Sequence, residues 1–282
     1  MKIIDTSVII STYNAPAWLE KVLTGYNNQT YRSFEVVIAD DGSNFRTTNL
    51  IEKIKKKVFY PIKHVWQEDS GFRKTKILNK AIQQCNSSYI IMSDGDCIPR
   101  KDFVATHVEY REKGYFLSGG YFKLPMDISN QITKEDIYLE RCFNLKWLRD
   151  NGLQPSFKNN KLNSGSVKGF FLNTLTPTNA AWNGHNASGW KKDIITINGF
   201  DERMEYGGED RELGERLLNY GIKSKQIRYL AVCIHLDHER GYVREDALAK
   251  NREIRNLTKR EKLVTTPYGI IKNYQIAQGI AS

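Results

Sequence analysis

Two carboxylates follow a short apolar segment near residue 90. Residues 89–92 are typical of a buried strand, and they lead into Asp94-Gly95-Asp96. Side chains two apart project to the same side of an extended chain, so both carboxylates could reach one cation. Hard cations such as Mg²⁺ or Mn²⁺ prefer oxygen ligands and commonly bridge to the phosphates of a substrate. Asp-Gly-Asp is also an ordinary turn sequence, so this motif alone does not decide between a site and a turn.

A second pair of acidic residues, Glu209-Asp210, follows two glycines. Acidic side chains at the start of a predicted helix are well explained by helix capping and by the favourable field at a helix N-terminus. That interpretation does not account for both Gly207 and Gly208, which allow the backbone to approach a ligand closely. A carboxylate here could instead act as the general base on a hydroxyl nucleophile.

Histidines and further acids follow other predicted strands. His235 and His238 flank Asp237 after the last predicted strand, where an imidazole could bind a metal or carry a proton. Asp41 could accept hydrogen bonds from a nucleobase or ribose, although aspartate before glycine is also a common turn former. Tyr13, after the first strand, could stack on a base or pack against the next helix. Polar groups therefore collect where predicted strands end.

The elements that must position these residues alternate along the first hundred residues. The predicted helices begin near Pro16, span 47–57 and extend from about residue 72 to Cys85, between strands at 7–10, 35–39, 62–66 and 89–94. This alternation predicts βαβ units and a parallel sheet, whose carboxyl edge is where ligands bind. Neither GxGxxG after the first strand nor a P-loop lysine motif is present in this part, which argues against a dinucleotide dehydrogenase or a P-loop kinase.

The second half of the sequence is less regular. Residues 151–173 are rich in Asn, Ser, Lys and Gly, and we interpret them as a mobile loop. The other predicted elements are a helix at 101–113, a strand at 115–123, a polar helix at 134–149, a strand at 227–234 and a highly charged, peripheral helix at 243–262.

The composition is that of a globular protein with a basic surface. The 282 residues are 40% hydrophobic, and 42 Lys+Arg against 32 Asp+Glu give a formal net charge of +10. This balance favours phosphate-rich partners, but no zinc finger, RNP or basic-zipper pattern supports nucleic acid. No apolar stretch reaches the roughly 18 residues that cross a bilayer, and the N-terminus lacks a signal-peptide pattern. The four scattered cysteines predict free thiols, so we expect a cytoplasmic protein.

Taken together, the motifs resemble glycosyltransferase family 2 of the GT-A fold. They occur in order as residues 7–14 (SVIISTYN), 40–43 (DDGS), 94–96 (DGD), 199–202 (GFDE) and 207–210 (GGED). The C-terminal part resembles the galactosyltransferase-like region of chondroitin-polymerase-type enzymes and β-1,4-galactosyltransferases, and the resemblance extends from about residue 7 to 242. It implies an α/β protein with one catalytic domain at 1–242, made of a Rossmann-like nucleotide-binding half at 1–99 and an acceptor-binding half at 100–242, followed by a helical tail at 243–282.

The same resemblance implies inverting transfer of a sugar from a nucleotide sugar, usually UDP-linked, assisted by Mn²⁺ or Mg²⁺. By position, the nucleotide-sugar ligands would be Ser11, Tyr13, Asn14, Asp41, Arg73, Asn79, Asp94 and Gly95. The metal ligands would be Asp96 and His235, with His238 as the substitute. Asp210 would be the catalytic base and Glu209 would hold the acceptor, together with Asn186, Trp190 and Gly208. Where the family often has Ala-Arg-Asn, this chain departs from it with Lys76-Ile77-Leu78-Asn79.

The preferred hypothesis is a bacterial-type glycosyltransferase that builds a surface polysaccharide or lipid-linked glycan. The alternatives are a nucleotidyltransferase acting on sugar phosphates and a catalytically degenerate nucleotide-sugar-binding module. A Gly-rich, basic loop after the first strand would favour nucleotidyl transfer, and residues 11–14 are not such a loop. Basic residues of the tail add the expectation of peripheral docking at the inner face of the plasma membrane, namely Arg252, Arg255, Lys259, Arg260 and Lys262.

Overall fold

The computed structural model describes residues 4–156, 159, 161–162, 169, 171–173, 180–239 and 241–272. Its strands are β1 (Thr6–Thr12), β2 (Phe34–Asp40), β3 (Ile62–Trp66), β4 (Tyr89–Asp94), β5 (Cys97–Pro99), β6 (Tyr115–Ser118), β7 (Gly120–Lys123), β8 (Asn186–Trp190), β9 (Lys223–Gln226) and β10 (Val232–His235). Its α-helices are α1 (Pro16–Asn27), α2 (Phe45–Lys55), α3 (Lys74–Gln84), α4 (Phe103–Tyr110), α5 (Met126–Gln131), α6 (Lys134–Tyr138), α7 (Leu145–Asp150), α8 (Lys191–Thr196), α9 (Glu209–Asn219) and α10 (Glu245–Arg260).

A seven-stranded sheet forms the centre of the fold, in the order β3-β2-β1-β4-β8-β6-β9. β1 pairs in parallel with both β2 and β4, and β2 pairs in parallel with β3. β8 runs antiparallel to β4 and β6, and β6 pairs in parallel with β9. A second sheet has the order β5-β10-β7. The predicted mostly parallel α/β sheet is confirmed, and the polar ends of β1, β2 and β4 share one edge because these strands run in the same direction.

Helices cover both faces of the parallel strands. β1 and β2 are buried along their whole length, as parallel strands with helices on either side must be. On one face Val8 packs in a core with Leu23 of α1, and on the other face Ile9 packs in a core with Ile77 of α3. α1 begins with Pro16. Proline has no backbone N–H, and the N–H groups in the first turn of a helix have no partner within the helix, so nothing is lost there. The strands whose carboxyl ends form this edge are thereby packed on both faces.

Three predicted elements differ from the structure because the chain turns within them. The strand predicted at 115–123 is divided between two sheets at Gly119, where a Cβ would lie 2.0 Å from the Asn186 side chain. The helix predicted at 134–149 is interrupted because Glu140 is left-handed and Asn144 caps α7 separately. The strand predicted at 227–234 is formed only from Val232 onward, as β10. Of the 23 residues in the loop predicted at 151–173, ten lie outside the described residues, namely 157–158, 160, 163–168 and 170.

The C-terminal helix α10 packs against α9. Its buried residues lie on one face, and Thr258 on this face donates to Glu212 of α9 at 2.9 Å. Beyond the helix, Ile270 packs against the core on the α3 side of the sheet. The four cysteines are buried and form no disulfide, so the prediction of free thiols is confirmed. In the described part of the chain, no helix has both the length and the apolar character needed to cross a bilayer.

Candidate active site

An open cleft of about 920 Å³ lies at the carboxyl ends of β1 and β4. Its walls also include the loop after β2, the start of α3, the start of α9 and the segment after β10. The predicted site residues that line it are Ser11, Tyr13, Asn14, Asp41, Asp94, Gly95, Asp96, Gly208, Glu209, Asp210, His235 and His238. Residues separated by up to 227 positions in the sequence (238 − 11) therefore meet in one cavity.

One part of the cleft presents an aromatic ring beside a fixed carboxylate. Gln67 Nε2 donates to Asp41 Oδ1 at 2.6 Å, and the backbone N–H of Arg73 donates to Asp41 Oδ2 at 2.8 Å. Burial raises the pKa of Asp41, and these two hydrogen bonds oppose the rise. The Tyr13 hydroxyl donates to Asp69 at 2.8 Å, and about half of the Tyr13 side chain remains exposed. A stacking surface next to a hydrogen-bond acceptor suits a nucleobase.

A lysine–aspartate pair lies in the middle of the cleft. Lys74 Nζ, in the first turn of α3, donates to Asp94 Oδ1 at 2.8 Å, and Ser11 Oγ donates to the same oxygen at 2.5 Å. Burial raises the pKa of Asp94, but the Lys74 charge and these hydrogen bonds outweigh it and bring the pKa to about 2. Burial lowers the pKa of Lys74, but the charges of Asp94, Glu209 and Asp210 leave it above its ordinary value. Asp94 and Lys74 are both charged at neutral pH.

Gly95 is required between the two aspartates because the backbone of β1 lies against it. Its N–H donates to the Ser11 carbonyl at 2.7 Å. A Cβ at this position would lie 2.9 Å from the same carbonyl oxygen and 3.2 Å from Thr12 Oγ1. Glycine is therefore needed at position 95 because the backbone of β1 passes close to it.

Asp96, His235 and His238 converge at the end of β10. Asp96 Oδ2 lies 3.8 Å from His235 Nε2 and 3.0 Å from His238 Nε2. The Nδ1 atom of His235 lies 2.9 Å from the Leu236 carbonyl, and that of His238 lies 2.8 Å from the Glu239 carbonyl. A carbonyl can only accept a hydrogen bond, so each Nδ1 carries a proton and each Nε2 faces Asp96. A neutral ring offers its Nε2 lone pair to a cation, whereas a protonated ring donates from Nε2 to Asp96.

These donor atoms fit a divalent cation. A carboxylate and two neutral imidazoles, with their tautomers fixed by backbone carbonyls, are a common ligand combination. Burial raises the pKa of Asp96, but a hydrogen bond from His238 and the charges of both histidines in their protonated form leave a net lowering, which favours the carboxylate form. Among the described residues, the ligand atoms that lie within 4.8 Å of one another belong to Asp96, Cys97 and His235, and His238 is outside that group. Burial raises the pKa of the Cys97 thiol well above its ordinary value, so a cation would have to displace its proton to bind the sulfur.

The acidic pair Glu209-Asp210 begins α9 on the cleft wall. Gly207 and Gly208, just before it, have φ values of +109° and +89°, which glycine adopts at little cost. Glu209 Oε2 accepts the Gly207 N–H at 2.9 Å, and Asp210 Oδ2 accepts the Gly184 N–H at 3.0 Å. Burial, followed by the charge of Asp210, raises the pKa of Glu209 to about 7. The pair thus offers one carboxyl group that changes protonation near neutral pH.

The cleft residues that are missing from the predicted site include Lys74 and His185. The His185 ring lies 4.6 Å from the Tyr121 ring and 6.5 Å from the His235 ring, between centroids. Burial lowers the pKa of His185, although the charge of Asp94 opposes this, so the ring is neutral at pH 7. Lys74 directly follows Arg73, which the resemblance assigns to the nucleotide. This position was the only indication in the sequence that Lys74 belongs to the site.

Two predicted nucleotide ligands, Asn79 and Arg73, do not line the cleft. Asn79 Nδ2 donates to the Phe200 carbonyl at 2.9 Å, and its Oδ1 accepts the Phe200 N–H at 2.8 Å. The guanidinium of Arg73 donates to the Glu68 carbonyl at 2.6 Å, and only its backbone reaches Asp41. Both side chains are engaged in holding backbone segments, so the structure does not bring them together with the other predicted nucleotide ligands.

The predicted acceptor ligands Asn186 and Trp190 also lie away from the cleft. Asn186 is buried in β8, and its Nδ2 donates to the Gly120 carbonyl at 2.7 Å and to the Ala231 carbonyl at 3.0 Å. Trp190 ends the same strand, and its indole N–H donates to the Glu112 carbonyl at 2.9 Å. Asn186 therefore joins the two sheets and Trp190 packs at the opposite end of β8, so the structure does not bring either side chain to the cleft.

A family model described as glycosyl transferase family 2 matches residues 7–172, and a model described as the N-terminal domain of galactosyltransferase matches residues 179–239. The chain therefore belongs to glycosyl transferase family 2. The chain is 29% identical over 224 residues to validoxylamine A glucosyltransferase from Streptomyces hygroscopicus subsp. jinggangensis (strain 5008), which covers 77% of this chain and 52% of that protein. It is 26% identical over 232 residues to chondroitin synthase from Escherichia coli, which covers 78% of this chain and 33% of that protein. The chain thus spans about half or less of the length of these relatives.

Solved structures of similar shape include one bound to UDP-GlcNAc and a mannosyltransferase bound to GDP-Man and Mn²⁺. S. aureus TarS 1-349 in complex with UDP-GlcNAc has a TM-score of 0.60 at 17% identity and covers 92% of this chain and 69% of that chain. The mannosyltransferase PcManGT from Pyrobaculum calidifontis, in complex with GDP-Man and Mn²⁺, has a TM-score of 0.56 at 19% identity and covers 84% of this chain and 58% of that chain. These likenesses confirm the predicted GT-A fold.

Proposed function

We propose that this protein is an inverting, divalent-cation-dependent glycosyltransferase that moves a sugar from a UDP-sugar to a hydroxyl group of a glycan or lipid-linked acceptor. The observation that carries the proposal is a single cleft lined by two acidic pairs from separate elements, Asp94 and Asp96 after β4 and Glu209 and Asp210 on α9. Membership of the family and similarity to a glucosyltransferase support the activity. The UDP-GlcNAc bound by TarS supports a nucleotide-sugar donor.

The donor would extend from the Tyr13 and Asp41 end of the cleft to the aspartates after β4. Asp96, His235 and His238 would hold the cation, which when bound would neutralise charge that develops on the departing nucleoside diphosphate. A mixed carboxylate and imidazole set favours Mn²⁺ over Mg²⁺, because Mg²⁺ prefers oxygen ligands in octahedral geometry. The Mn²⁺ bound by the mannosyltransferase of similar shape supports this choice.

Asp210 would remove the proton from the acceptor hydroxyl. The hydroxyl oxygen then bonds to the anomeric carbon on the face opposite the nucleoside diphosphate. The bond from that carbon to the diphosphate breaks and the electron pair leaves with it, so the configuration inverts. Glu209, whose pKa is about 7, would hold the acceptor through a hydrogen bond. Lys74 lies 2.8 Å from Asp94, and its ammonium adds positive charge near the departing group.

The decisive experiment is a screen of UDP-sugars with Mn²⁺, in which release of UDP and formation of a new glycosidic bond are both measured. NMR of the product gives its anomeric configuration, and an inverted configuration is expected. Asp96→Asn keeps the size of the side chain, so it should retain the thermal stability of the wild type while losing Mn²⁺-dependent UDP binding in calorimetry.

Two outcomes would reject the proposed function. One is the absence of Mn²⁺-dependent binding of any nucleotide sugar to the wild type. The other is release of pyrophosphate from a nucleoside triphosphate and a sugar phosphate, which would instead support a nucleotidyltransferase.

We assign the protein to surface polysaccharide synthesis in the cytoplasm, at the inner face of the plasma membrane. Similarity to a chondroitin synthase supports the first part of this assignment. The basic tail supports the second, since Arg252, Lys259, Arg260 and Lys262 are exposed. Each basic residue near an anionic leaflet contributes on the order of 1 kcal/mol.

A further inference from the structure

The C-terminal helix α10 lies beyond both regions that the family models match, and it forms part of the wall beside the acidic pair. Its residue Arg255 lines the cleft. Leu248, Asn251 and Arg255 are three and four positions apart, so they lie on one face of the helix. This face contacts the loop that leads into Glu209.

Asn251 binds that loop through its side-chain amide. It is fully buried, and its Nδ2 lies 3.1 Å from the Glu205 carbonyl, 3.2 Å from the Tyr206 carbonyl and 3.1 Å from the Gly207 carbonyl. Its two amide hydrogens are therefore shared among three successive carbonyl oxygens. An amide is the neutral side chain of this size that offers two donors, and a carboxylate offers none.

Gly207 links this contact to the acidic pair. Its carbonyl accepts from Asn251, and its N–H donates to Glu209 Oε2 at 2.9 Å. The same peptide segment is thus bound from the helix on one side and from the cleft carboxylate on the other. A shift of this segment would move Glu209 and, through the start of α9, Asp210.

The helix also fills the space next to both glycines. A Cβ at Gly207 would lie 2.3 Å from Leu248 Cδ2, and a Cβ at Gly208 would lie 3.0 Å from Arg255 Cδ. The Arg255 guanidinium is itself held by Glu215 of α9 at 2.5 Å. The two glycines therefore allow helix α10 to pack directly against the backbone that carries the acidic pair.

We propose that Asn251 is a positioning residue for the acidic pair, and that α10 is consequently a part of the catalytic unit. Asn251 acts through the loop backbone and does not touch the substrate. The kinetic part of this inference rests on the proposed function, whereas the part concerning the loop does not. Misplacement of a reacting group by about 1 Å can cost about 10²-fold in rate, which sets the scale of the expected effect.

The test compares Asn251→Ala and Asn251→Asp with Asn219→Ala in the full chain. Asn219 is the matched control, because its Nδ2 also joins α9 to the tail, with bonds to the Thr258 carbonyl at 3.2 Å and the Leu263 carbonyl at 2.8 Å, away from the loop. Asn251→Asp keeps the size of the side chain and loses the donors, which separates lost hydrogen bonds from a cavity.

Three quantities are measured for each variant: kcat for transfer, the affinity for UDP with Mn²⁺, and hydrogen exchange of the amides of residues 206–211. For both Asn251 variants we expect kcat to fall by about 10²-fold, unchanged UDP affinity and donor KM, and faster exchange in the loop. For Asn219→Ala we expect values close to the wild type in all three.

Retention of wild-type kcat and loop exchange by Asn251→Asp would overturn the inference, as would equal losses in Asn219→Ala. If the wild type transfers no sugar at all, the proposed function fails, and loop exchange alone decides whether Asn251 holds the loop. If Asn251→Ala does not fold, the comparison between Asn251→Asp and Asn219→Ala decides the question.

Discussion

Replacing Glu209 by glutamine should change how the stability of the fold depends on pH. Burial and the Asp210 charge raise the pKa of Glu209 from 4.5 to about 7, so the folded chain binds this proton more tightly than the unfolded chain does. The stabilisation that this proton provides is fully present below about pH 4.5 and is lost as the pH rises through about 7. Glutamine keeps an oxygen for the Gly207 N–H and has no proton to lose.

The magnitude follows from the size of the pKa shift. A rise from 4.5 to about 7 corresponds to about 3 kcal/mol, because one pKa unit is worth about 1.4 kcal/mol. The free energy of unfolding of Glu209→Gln relative to the wild type should therefore increase by up to about 3 kcal/mol between about pH 4 and about pH 8. Urea unfolding at a series of pH values measures it. Glu245→Gln, at the exposed start of α10, is the control for the same replacement at a helix N-terminus.

A relative stability of Glu209→Gln that stays constant with pH would refute this prediction. A relative stability that increases towards acid pH would refute it as well, because it would require Glu209 to be ionised more readily in the folded chain than in the unfolded chain. The result also bears on the roles within the pair, since a pKa near the working pH is what suits a general base, so Glu209→Gln must be compared with Asp210→Asn before the base is assigned.

Three further changes test other assignments. Asp210→Asn keeps the size of the side chain but removes the proton acceptor. The rate of transfer should fall by about 10²–10⁴-fold, with unchanged UDP affinity in calorimetry. Near-full turnover would mean that another residue is the base. Asn79→Ala removes the hydrogen-bond partner of the Phe200 backbone. It should lower the free energy of unfolding by about 1–3 kcal/mol without changing UDP affinity. A stable variant that cannot bind UDP would instead support Asn79 as a nucleotide ligand. Arg252→Glu with Arg260→Glu should weaken sedimentation with anionic vesicles at low salt, and equal binding of the wild type to neutral and anionic vesicles would exclude electrostatic docking.

The parallel half of the fold could be predicted because each of its strands is a short apolar run that ends in polar turn residues. β3 has the predicted bounds, and β1 and β2 differ from the prediction by at most two residues at either end. The divided strand at Gly119 could not be predicted in the same way, since the break depends on the Asn186 side chain, which is distant in sequence. The adjacent pair Gly119-Gly120 was the local signal of a break.

The candidate site was predictable where chemistry and strand ends coincide, as at Asp94, Asp96 and His235. Lys74 was missed because a lysine in the first turn of a helix is typical of a solvated surface, and only tertiary packing brings it to Asp94. Asn186 was assigned to the acceptor by position from the resemblance, and the sequence alone does not distinguish a ligand from a buried hydrogen-bonding group.

The charges of the cleft show why one lysine and a cation site belong together. Asp94, Asp96, Glu209 and Asp210 are four of the seven carboxyl groups that line the cleft, which also contains Lys74, Arg211 and Arg255. Lys74 compensates part of the negative charge through Asp94, and the raised pKa of Glu209 relieves another part by keeping a proton near neutral pH. Asp96 faces the Nε2 atoms of His235 and His238, and an excess of negative charge remains there while these rings are neutral. A divalent cation held there would remove this excess and let a negatively charged donor enter a cleft that would otherwise repel it.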